Sequence, residues 1–200
     1  YHGTAKLDVK INDGGNTGTG GAQEDTKTIF ITVNPANDRP TATGSVSIGS
    51  VTEDNANPTG LVISSLITGS NYSDVTDNQT SSGGNSTETG LSYVAITGNL
   101  SIATQGVWQF KNGSGTWIDI PATGLADATA LVVRSDREIR FKPAADFHGT
   151  PGSLQVKLAD SSTAIVESSI TTDTKNLATN GGNSQTGAWS ANAVTLTTSV

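Results

Sequence analysis

Short runs in which apolar and polar residues alternate recur along this chain, and these runs are rich in Thr, Val and Ile. The first run places Leu7, Val9 and Ile11 on one side of an extended segment and charged residues on the other. This period of two is typical of β-strands with one buried face and one solvated face. Further strands are predicted at residues 29–33, 46–48, 61–63, 91–97, 107–110, 116–120, 139–141 and 154–158.

Clusters of Gly, Asn, Asp and Ser separate these runs, and no stretch sustains the 3.6-residue period of a helix. Many short strands joined by such turns are typical of an antiparallel β-sandwich. The polar stretches 14–21, 78–90 and 161–187 are predicted to be long surface loops. Because Ile165, Val166 and Ile170 interrupt the last stretch, we predict one extra strand within residues 161–176.

The composition restricts the chemistry that this chain can perform. Thr, Ser, Gly and Asn supply 90 of the 200 residues, whereas charged residues supply only 14%. The chain has no Cys, which excludes disulfides, thiol nucleophiles and Cys-ligated zinc. It also has no Met, which indicates an internal piece of a longer protein. The formal net charge of −7 argues against nucleic-acid binding, because that function requires clustered Lys and Arg.

The apolar and charged residues also indicate where the protein is located and what it binds. No apolar run approaches the roughly 18 residues of a membrane-spanning helix, so we expect no membrane insertion in this segment. The N-terminus lacks the character of a signal peptide, which predicts that the export signal and anchor lie elsewhere. No basic residue occurs between Arg39 and Lys111, whereas five acidic residues do. This region is therefore predicted to attract cations.

The two ends of the chain resemble each other in sequence. Tyr1-His2-Gly3-Thr4 and the strand after it return as Phe147-His148-Gly149-Thr150 and a similar strand. The similarity extends to residues 29–33, which correspond to residues 194–198. Such self-similarity at a long period is the signature of a repeat protein.

The repeat pattern predicts a division of the chain at a Pro-containing connector. Pro35 and Pro40 stiffen the short segment between the two similar regions. We predict that residues 1–34 are the C-terminal strands of a preceding repeat, that 35–40 form an interdomain linker, and that 41–200 form the next repeat.

The linker and several internal motifs resemble those of a known family. Asp13 after a strand, Ile31-Thr32-Val33 at the end of the next, and Asn37-Asp38-Arg39-Pro40 resemble the end of a cadherin-type repeat. The remaining motifs resemble cadherin-like repeats strung in tandem through giant bacterial surface and RTX-type adhesins. These motifs are Gly106-Val107-Trp108-Gln109-Phe110, Gly115-Thr116-Trp117, Arg140-Phe141-Lys142-Pro143 and Asp146-Phe147-His148-Gly149. The resemblance implies a Greek-key β-sandwich of the cadherin or immunoglobulin type, preceded by a partial repeat.

The resemblance also implies calcium at the junctions between repeats, where carboxylates from both repeats and the linker hold the ion. Ca²⁺ prefers six to eight hard oxygen ligands, which Asp, Glu, Asn and backbone carbonyls supply. Asp13 would be the counterpart of Asp160 at the junction one repeat upstream. At the junction within this chain, the positions that match the family pattern are Asn37, Asp38, Asp74 or Asp77, and Asp160.

A second set of acidic positions matches those that serve the far end of a repeat, namely Glu53, Asp136 and Glu138. Two features depart from the family pattern. Asp74 and Asp77 are three residues apart, where the family usually has Asp-x-Asp. Arg39 stands where a second acidic or amide residue is usual, and it would weaken a cation site or replace one calcium by a salt bridge.

The residues alone allow two other kinds of site. Trp108 and Trp117 on neighbouring predicted strands could stack on a sugar, but large aromatic residues in a sandwich more often form its core. The adjacent Glu53 and Asp54 could act as general acid and base, but the sequence supplies no positioned partner. We therefore expect no enzymatic activity.

These observations and the resemblance predict an extracellular structural or adhesive repeat, secreted or on a bacterial cell surface, that forms a calcium-stiffened stalk or fibre. Its expected partners are neighbouring repeats or identical subunits, together with host or cell-surface glycans or proteins. One alternative is a self-assembling filament subunit that exchanges strands between chains. Another alternative is a carbohydrate-binding module that uses its tryptophans.

Overall fold

The computed structural model describes residues 1–15, 18–78, 80, 83 and 87–200. The predicted loops 14–21 and 78–90 therefore lie partly outside the described residues. The regular secondary structure of the described residues is almost entirely β-strand, which confirms the predicted all-β fold class. Its strands are β1 Gly3–Asn12, β2 Glu24–Val33, β3 Thr41–Ala42, β4 Ser45–Ser50, β5 Leu61–Val62, β6 Tyr72–Ser73, β7 Tyr93–Asn99, β8 Gly106–Lys111, β9 Trp117–Asp119, β10 Leu131–Arg134, β11 Glu138–Pro143, β12 Leu154–Ala159 and β13 Val194–Ser199.

The chain divides into two compact units, and each is described by itself. Unit 1 comprises Tyr1–Ala36 with Asn78–Thr87, and unit 2 comprises Asn37–Asp77 with Glu88–Val200. The division after Ala36 falls inside the predicted linker, whereas the assignment of residues 1–34 to a preceding repeat stays a prediction.

Unit 2 is a sandwich of two sheets. One sheet has the strand order β10-β7-β12-β13-β4 and the other has the order β5-β11-β8-β9. The short strands β3 and β6 form a separate pair. Neighbouring strands are antiparallel except β13 and β4, which are parallel. The Greek-key connection of these strands stays a prediction.

Apolar side chains from both sheets meet in one core. In β12, Leu154, Val156 and Leu158 are buried, and they alternate with half-buried polar residues. In the opposite sheet, Trp108 of β8 lies beside Phe141 of β11, and their rings meet edge to face with centroids 5.3 Å apart. This alternation is what the sequence pattern predicts for strands with one buried face.

The sequence pattern does not predict strand β10, because apolar and polar residues do not alternate along it. Leu131 and Val133 face the core between the sheets, whereas Val132 belongs to a second apolar cluster. That second cluster contains Ile165, Leu177 and other residues from the long segment before β13. The strand is buried on both faces, and such a strand reads as a continuous apolar run.

The extra strand predicted within residues 161–176 is wrong. This segment forms turns and a single bridge between Lys175 and Ala130. Its apolar residue Ile165 instead contributes to the second cluster around Trp189. The Trp189 indole N–H donates a hydrogen bond to the carbonyl of Asn180, 2.5 Å away. Ile165 therefore marks packing and not strand formation, whereas Val166 and Ile170 are exposed.

The strand directions define two ends of unit 2. Since β12 and β13 are antiparallel, the start of β13 lies near Asp160 and its end lies beside the start of β12. Val200 exchanges backbone hydrogen bonds with Gly149, at 2.8 and 2.9 Å. We call the end with Asn37 and Asp160 the near end and the end with Val200 the far end. A six-residue strand such as β12 separates them by about 20 Å.

Unit 1 contains an antiparallel hairpin of β1 and β2 in which Leu7 lies opposite Ile29. Like β12, β1 ends directly before an Asp residue. The Asp13 carboxylate accepts the N–H of Gly15 at 2.9 Å, as the Asp160 carboxylate accepts the N–H of Ser162 at 2.8 Å. The sequence similarity between the two segments thus extends to their local structure.

We expect Trp108→Ala to lower the free energy of unfolding by about 3–5 kcal/mol, because it leaves a cavity in the core. It also removes the hydrogen bond from the indole N–H to the carbonyl of Gly152 at 2.8 Å. Urea unfolding followed by circular dichroism measures this loss. The control is Ile170→Ala, at a side chain that is 53% exposed, which should change stability by less than about 0.5 kcal/mol. Equal urea midpoints for Trp108→Ala and the parent chain would contradict the packing described here.

Candidate metal centres

The near end of unit 2 brings the linker residues against acidic side chains. Asn37 Nδ2 donates to Asp160 Oδ2 at 3.2 Å and to the carbonyl of Gly187 at 3.2 Å. The backbone N–H of Asp38 donates to Asp77 Oδ1 at 2.8 Å. The linker residues Asn37 and Asp38 are therefore held by two of the acidic residues that the sequence pattern associated with them.

Asp74 is the most unusual of these near-end carboxylates. Its side chain is only 3% exposed. Oδ2 accepts hydrogen bonds from the N–H and the hydroxyl of Thr89, at 3.0 and 2.9 Å. Oδ1 is buried and has no hydrogen-bond partner among the described residues. A buried carboxylate oxygen without a partner is costly, and a bound cation is one way to satisfy it.

The charges at the near end disfavour ionisation of its carboxyl groups. Burial raises the pKa of Asp74 above its ordinary value; the hydrogen bonds from Thr89 oppose this shift, and the negative charges of Asp77 and Asp160 add to it. Burial also raises the pKa of Asp77; the N–H of Asp38 opposes this shift, and the charges of Asp38 and Asp160 add to it. A divalent cation here would relieve both the desolvation and the mutual repulsion.

The negative charges of three of these carboxylates act on Tyr72. Its phenolic pKa is raised, first by burial and then by the negative charges of Asp74, Asp160 and Asp77. Its hydroxyl donates to the carbonyl of Thr89 at 2.9 Å. An open cleft of about 480 Å³ is lined by Tyr72, Asp74 and neighbouring residues. The near-end carboxylates therefore share one partly buried environment beside solvent-filled space.

The far end carries an acidic group whose oxygens lie close together. Of its members, the sequence analysis names only Glu53 as a candidate metal ligand. One oxygen each from Glu53, Asp54 and Asp146 lie within 4.8 Å of one another, so these residues could hold a metal ion. In the described part of the chain, no other three His or acidic side chains meet this criterion. All three are exposed. The N–H of Asp146 donates to Asp54 Oδ1 at 3.0 Å, and both residues have left-handed backbone, with φ of 58° and 60°.

The two acidic groups differ in how closely their ligand atoms approach. Ca²⁺ binds oxygen at 2.3–2.6 Å, so oxygens on opposite sides of one ion lie about 5 Å apart. The far-end oxygens already meet this limit. At the near end, no such trio of acidic oxygens forms among the described residues, so ion binding there would require the carboxylates to move together.

Asp136 and Glu138 lie at the near end and not at the far end with Glu53, which corrects the expectation from the sequence. Strand β10 runs antiparallel to β7, so the turn after Arg134 returns to the near end beside Tyr93. Asp136 pairs with Arg134 at 3.2 Å, and Glu138 pairs with Lys111 at 2.9 Å. Both carboxylates are thus engaged by basic side chains.

Asp13 and Arg39, which the sequence analysis also relates to calcium sites, both take part in hydrogen bonds with the backbone. Asp13 Oδ1 accepts the N–H of Gly15 and of Gln23, both at 2.9 Å, in the turn that follows β1 of unit 1. Arg39 donates its backbone N–H to the carbonyl of Gln185 at 2.9 Å. Within the described residues, its guanidinium forms no ion pair with a carboxylate, so the expected replacement of calcium by a salt bridge does not occur there.

The two tryptophans do not form an exposed platform. Trp108 is fully buried in the core, as expected from its place in the sandwich. Trp117 is half-buried, and the guanidinium of Arg140 lies 3.9 Å from its ring centroid. Arg140 is itself buried and donates to Gln109 Oε1 at 2.7 Å. This arrangement leaves no pair of open aromatic faces for a sugar.

Comparison with protein-family models, with characterised proteins and with solved structures finds no match to this chain. The helix Ile63–Leu66 has only four residues. In the part of the chain that the structure describes, no helix combines the length and apolar character needed to cross a membrane.

We expect Asp74→Asn to stabilise the ion-free chain at pH 7. Because the Asp74 pKa is raised on folding, the folded chain binds the proton more tightly than the unfolded chain, and stability falls as pH rises through that pKa. The amide removes this penalty, so its advantage should shrink as pH falls toward the ordinary Asp value of 3.8. Urea unfolding in chelator at several pH values measures the difference.

Asp173→Asn is a control with the opposite sign. Hydrogen bonds from Lys175 and from the backbone of Ser169 lower the pKa of Asp173, so its charge stabilises the folded chain above the ordinary value of 3.8 and ceases to do so below the folded pKa. This variant should lose up to about 1 kcal/mol at pH 7. If both variants destabilise the chain alike at pH 7, burial and repulsion do not penalise the ionised Asp74 carboxylate as described.

Proposed function

We propose that this chain is part of a cadherin-like extracellular stalk or fibre on a bacterial surface, in which Ca²⁺ at the ends of unit 2 stiffens the connection to neighbouring repeats. The observation that carries the proposal is the placement of two acidic groups at opposite ends of one sandwich. The near-end group includes the linker that enters the sandwich, and the far-end group lies beside Val200.

Entry and exit at opposite ends suit a tandem array. The linker enters unit 2 at Asn37, beside Asp160, and β13 runs from this near end to the far end, about 20 Å away along the strands. Repeats joined in this way follow one another end to end, so each new repeat adds length. A spacer that holds an adhesive site away from a cell needs this property.

The available ligands favour calcium over other ions. The chain has no Cys, and its two His residues, His2 and His148, are not in either acidic group. Carboxylate, amide and carbonyl oxygens are the ligands that Ca²⁺ prefers, and Ca²⁺ tolerates irregular geometry better than Mg²⁺ does. At the near end, Asn37, Asp38, Asp74, Asp77 and Asp160 would supply these oxygens. At the far end, Glu53, Asp54 and Asp146 would supply them.

The mechanism that we propose is electrostatic. Without an ion, the near-end carboxylates repel one another, and the buried Asp74 Oδ1 has no hydrogen-bond partner within the described part of the chain. Bound Ca²⁺ would neutralise this charge and draw Asp38 and Asp77 toward the same centre. Because Asp38 belongs to the linker and Asp77 to the sandwich, one ion would restrict the motion of the linker.

We expect Ca²⁺ to stabilise the full chain by about 2.7 kcal/mol when its free concentration is 100 times the dissociation constant. Calorimetric titration with CaCl₂ should resolve two kinds of site. Asp74→Asn should remove near-end binding, and Asp146→Asn should remove far-end binding. Asp136→Asn is the matched control, because Asp136 is paired with Arg134 and should leave the titration unchanged. Absence of calcium-dependent heat and stabilisation in the parent chain would refute the calcium proposal.

We also expect Ca²⁺ to restrict the orientation of unit 1 relative to unit 2. The chain lacks Cys, so spin labels at Thr26→Cys in unit 1 and Thr123→Cys in unit 2 report one distance distribution. Pulsed electron paramagnetic resonance should show a broad distribution in chelator and a narrower one with Ca²⁺. Adding Asp38→Ala should abolish the narrowing, whereas Asp136→Asn should retain it. An unchanged width with calcium bound would mean that calcium binds without stiffening the linker.

A further inference from the structure

A cleft of about 410 Å³ opens in unit 2 where β7 ends and β8 begins. It is lined by the turn between these two strands, by the segment that follows β9 and by the end of β11. Most of the lining residues are apolar, and they include Ile102, Val107, Pro121 and Pro143. Sites for small molecules have volumes in this range and combine apolar walls with a few placed polar groups. We call this space the β7–β8 cleft.

Hydrogen bonds from two side chains hold the walls of the β7–β8 cleft in place. The buried Asn99 donates its amide N–H to the carbonyl of Ile120 at 3.0 Å, which ties β7 to the segment after β9. Gln105 Oε1 accepts the N–H of Ile102 at 3.1 Å and that of Gly152 at 3.0 Å, which fixes the turn between β7 and β8. The cleft is therefore formed before a ligand enters it, and this lowers the entropic cost of binding.

The half-buried Lys142 of β11 is the basic residue that lines this cleft. Within the described residues, its ammonium group forms no ion pair, hydrogen bond or cation–π contact. Beyond the linker, the other basic side chains of unit 2 all pair with carboxylates or donate hydrogen bonds, and they are Lys111, Arg134, Arg137, Arg140, Lys157 and Lys175. Acidic residues outnumber basic ones by 18 to 11 in this chain, so a lysine without a carboxylate partner is unusual. The Lys142 ammonium group is therefore available to an anion.

Asp119, the acidic residue that lines the cleft, is compensated by its own neighbours. Its Oδ1 accepts a hydrogen bond from Gln109 Nε2 at 2.6 Å, and Gln109 Oε1 accepts one from the buried Arg140 at 2.7 Å. Burial lowers the pKa of the Arg140 guanidinium, and the negative charges of Glu138 and Asp119 oppose this shift. Asp119 thus interacts with Arg140 and forms no ion pair with Lys142. The uncompensated charge at the cleft is positive.

We propose that the β7–β8 cleft binds a small organic carboxylate with an apolar body. Lys142 donates a charge-assisted hydrogen bond to the carboxylate, and the apolar walls remove the rest of the ligand from water. A small polar anion would not use these walls, and a neutral apolar molecule would not use Lys142. Among the described residues that line the cleft, none is a proposed calcium ligand, so this inference does not rest on the calcium proposal.

The cleft is open to solvent on one side, which limits the expected affinity. Ile102 at its rim is 58% exposed, so part of a bound ligand stays in contact with water. For a ligand of about ten non-hydrogen atoms we expect a dissociation constant on the order of 1 mM. NMR titration measures binding of this strength directly and locates the site.

Titration of the isotope-labelled full chain with phenylacetate in chelator, followed by its backbone amide NMR signals, tests this proposal. We expect the signals of Ala103, Gly106 and Ala122 at the cleft to shift, and that of Thr26 in unit 1 to stay unchanged. Phenethylamine and phenylethanol carry a similar apolar body with a positive charge and with no charge. Phenylacetate should bind at least about tenfold more tightly than either, because Lys142 favours the carboxylate.

Two variants separate the charge of the cleft from its apolar walls. Lys142→Gln should weaken phenylacetate at least about tenfold and abolish its preference over phenylethanol. Lys27→Gln is the matched control, since it makes the same change in net charge at a side chain of unit 1 that is 75% exposed, and it should leave the affinity unchanged. Ala122→Phe adds bulk at the cleft and should weaken phenylacetate and phenylethanol alike.

The outcomes that would overturn the proposal are distinct. If phenylacetate leaves the cleft signals unchanged, the cleft binds no such ligand. If phenylethanol binds as tightly as phenylacetate, or phenethylamine more tightly, Lys142 does not select an anion. If Lys142→Gln and Lys27→Gln weaken phenylacetate equally, the ligand responds only to net charge. The dispersion of the amide signals shows whether each variant is folded, and the chelator keeps all outcomes independent of the calcium proposal.

Discussion

The direction of β12 relative to its neighbours determines where every candidate ligand of unit 2 lies. Because β12 is antiparallel to both β7 and β13, the residue after β12 lies at one end and the chain terminus lies at the other. Parallel pairing of β4 with β13 then carries the chain from the linker to Glu53 at the far end. The core that holds these strands together, centred on Trp108 and Phe141, thus also holds the two acidic groups apart.

The two acidic groups represent different solutions to the same electrostatic problem. At the far end, three carboxylates are close together but exposed, so water screens their repulsion. At the near end, they are more widely spaced but buried, and burial raises the pKa values of Asp74 and Asp77. At the far end, binding of a cation would be favoured mainly by the short distances between its ligand oxygens. At the near end, it would be favoured mainly because the cation neutralises buried carboxylates. The linker residue Asp38 contacts Asp77 of the near-end group, which is why we propose that this group stiffens the linker.

Sequence periodicity predicted the strands that have one buried face, but it missed β10, whose residues are buried on both faces. It also predicted a strand from Ile165, Val166 and Ile170, because apolar residues scattered through a polar segment do not distinguish a strand from a loop with one packed side chain. Asn37 contacts Asp160 and Asp38 contacts Asp77, whereas the calcium-binding role that the family resemblance implies for these residues stays a prediction. The contact between Asp54 and Asp146, 92 residues apart, leaves no local signal in either segment. The placement of Asp136 at the near end depends on the pairing of β10, the strand that periodicity did not detect.

Comparison of the β1–β2 and β12–β13 hairpins shows which structural features a local sequence pattern specifies and which it does not. β1 with β2 and β12 with β13 share alternation, antiparallel pairing and an Asp-containing turn, so these features follow from local sequence. The burial of their apolar faces does not follow, because it depends on a second sheet that distant residues supply. In unit 2, β8 and β11 supply that sheet. In unit 1, the described residues do not supply it, and the apolar side chains of β1 and β2 remain exposed.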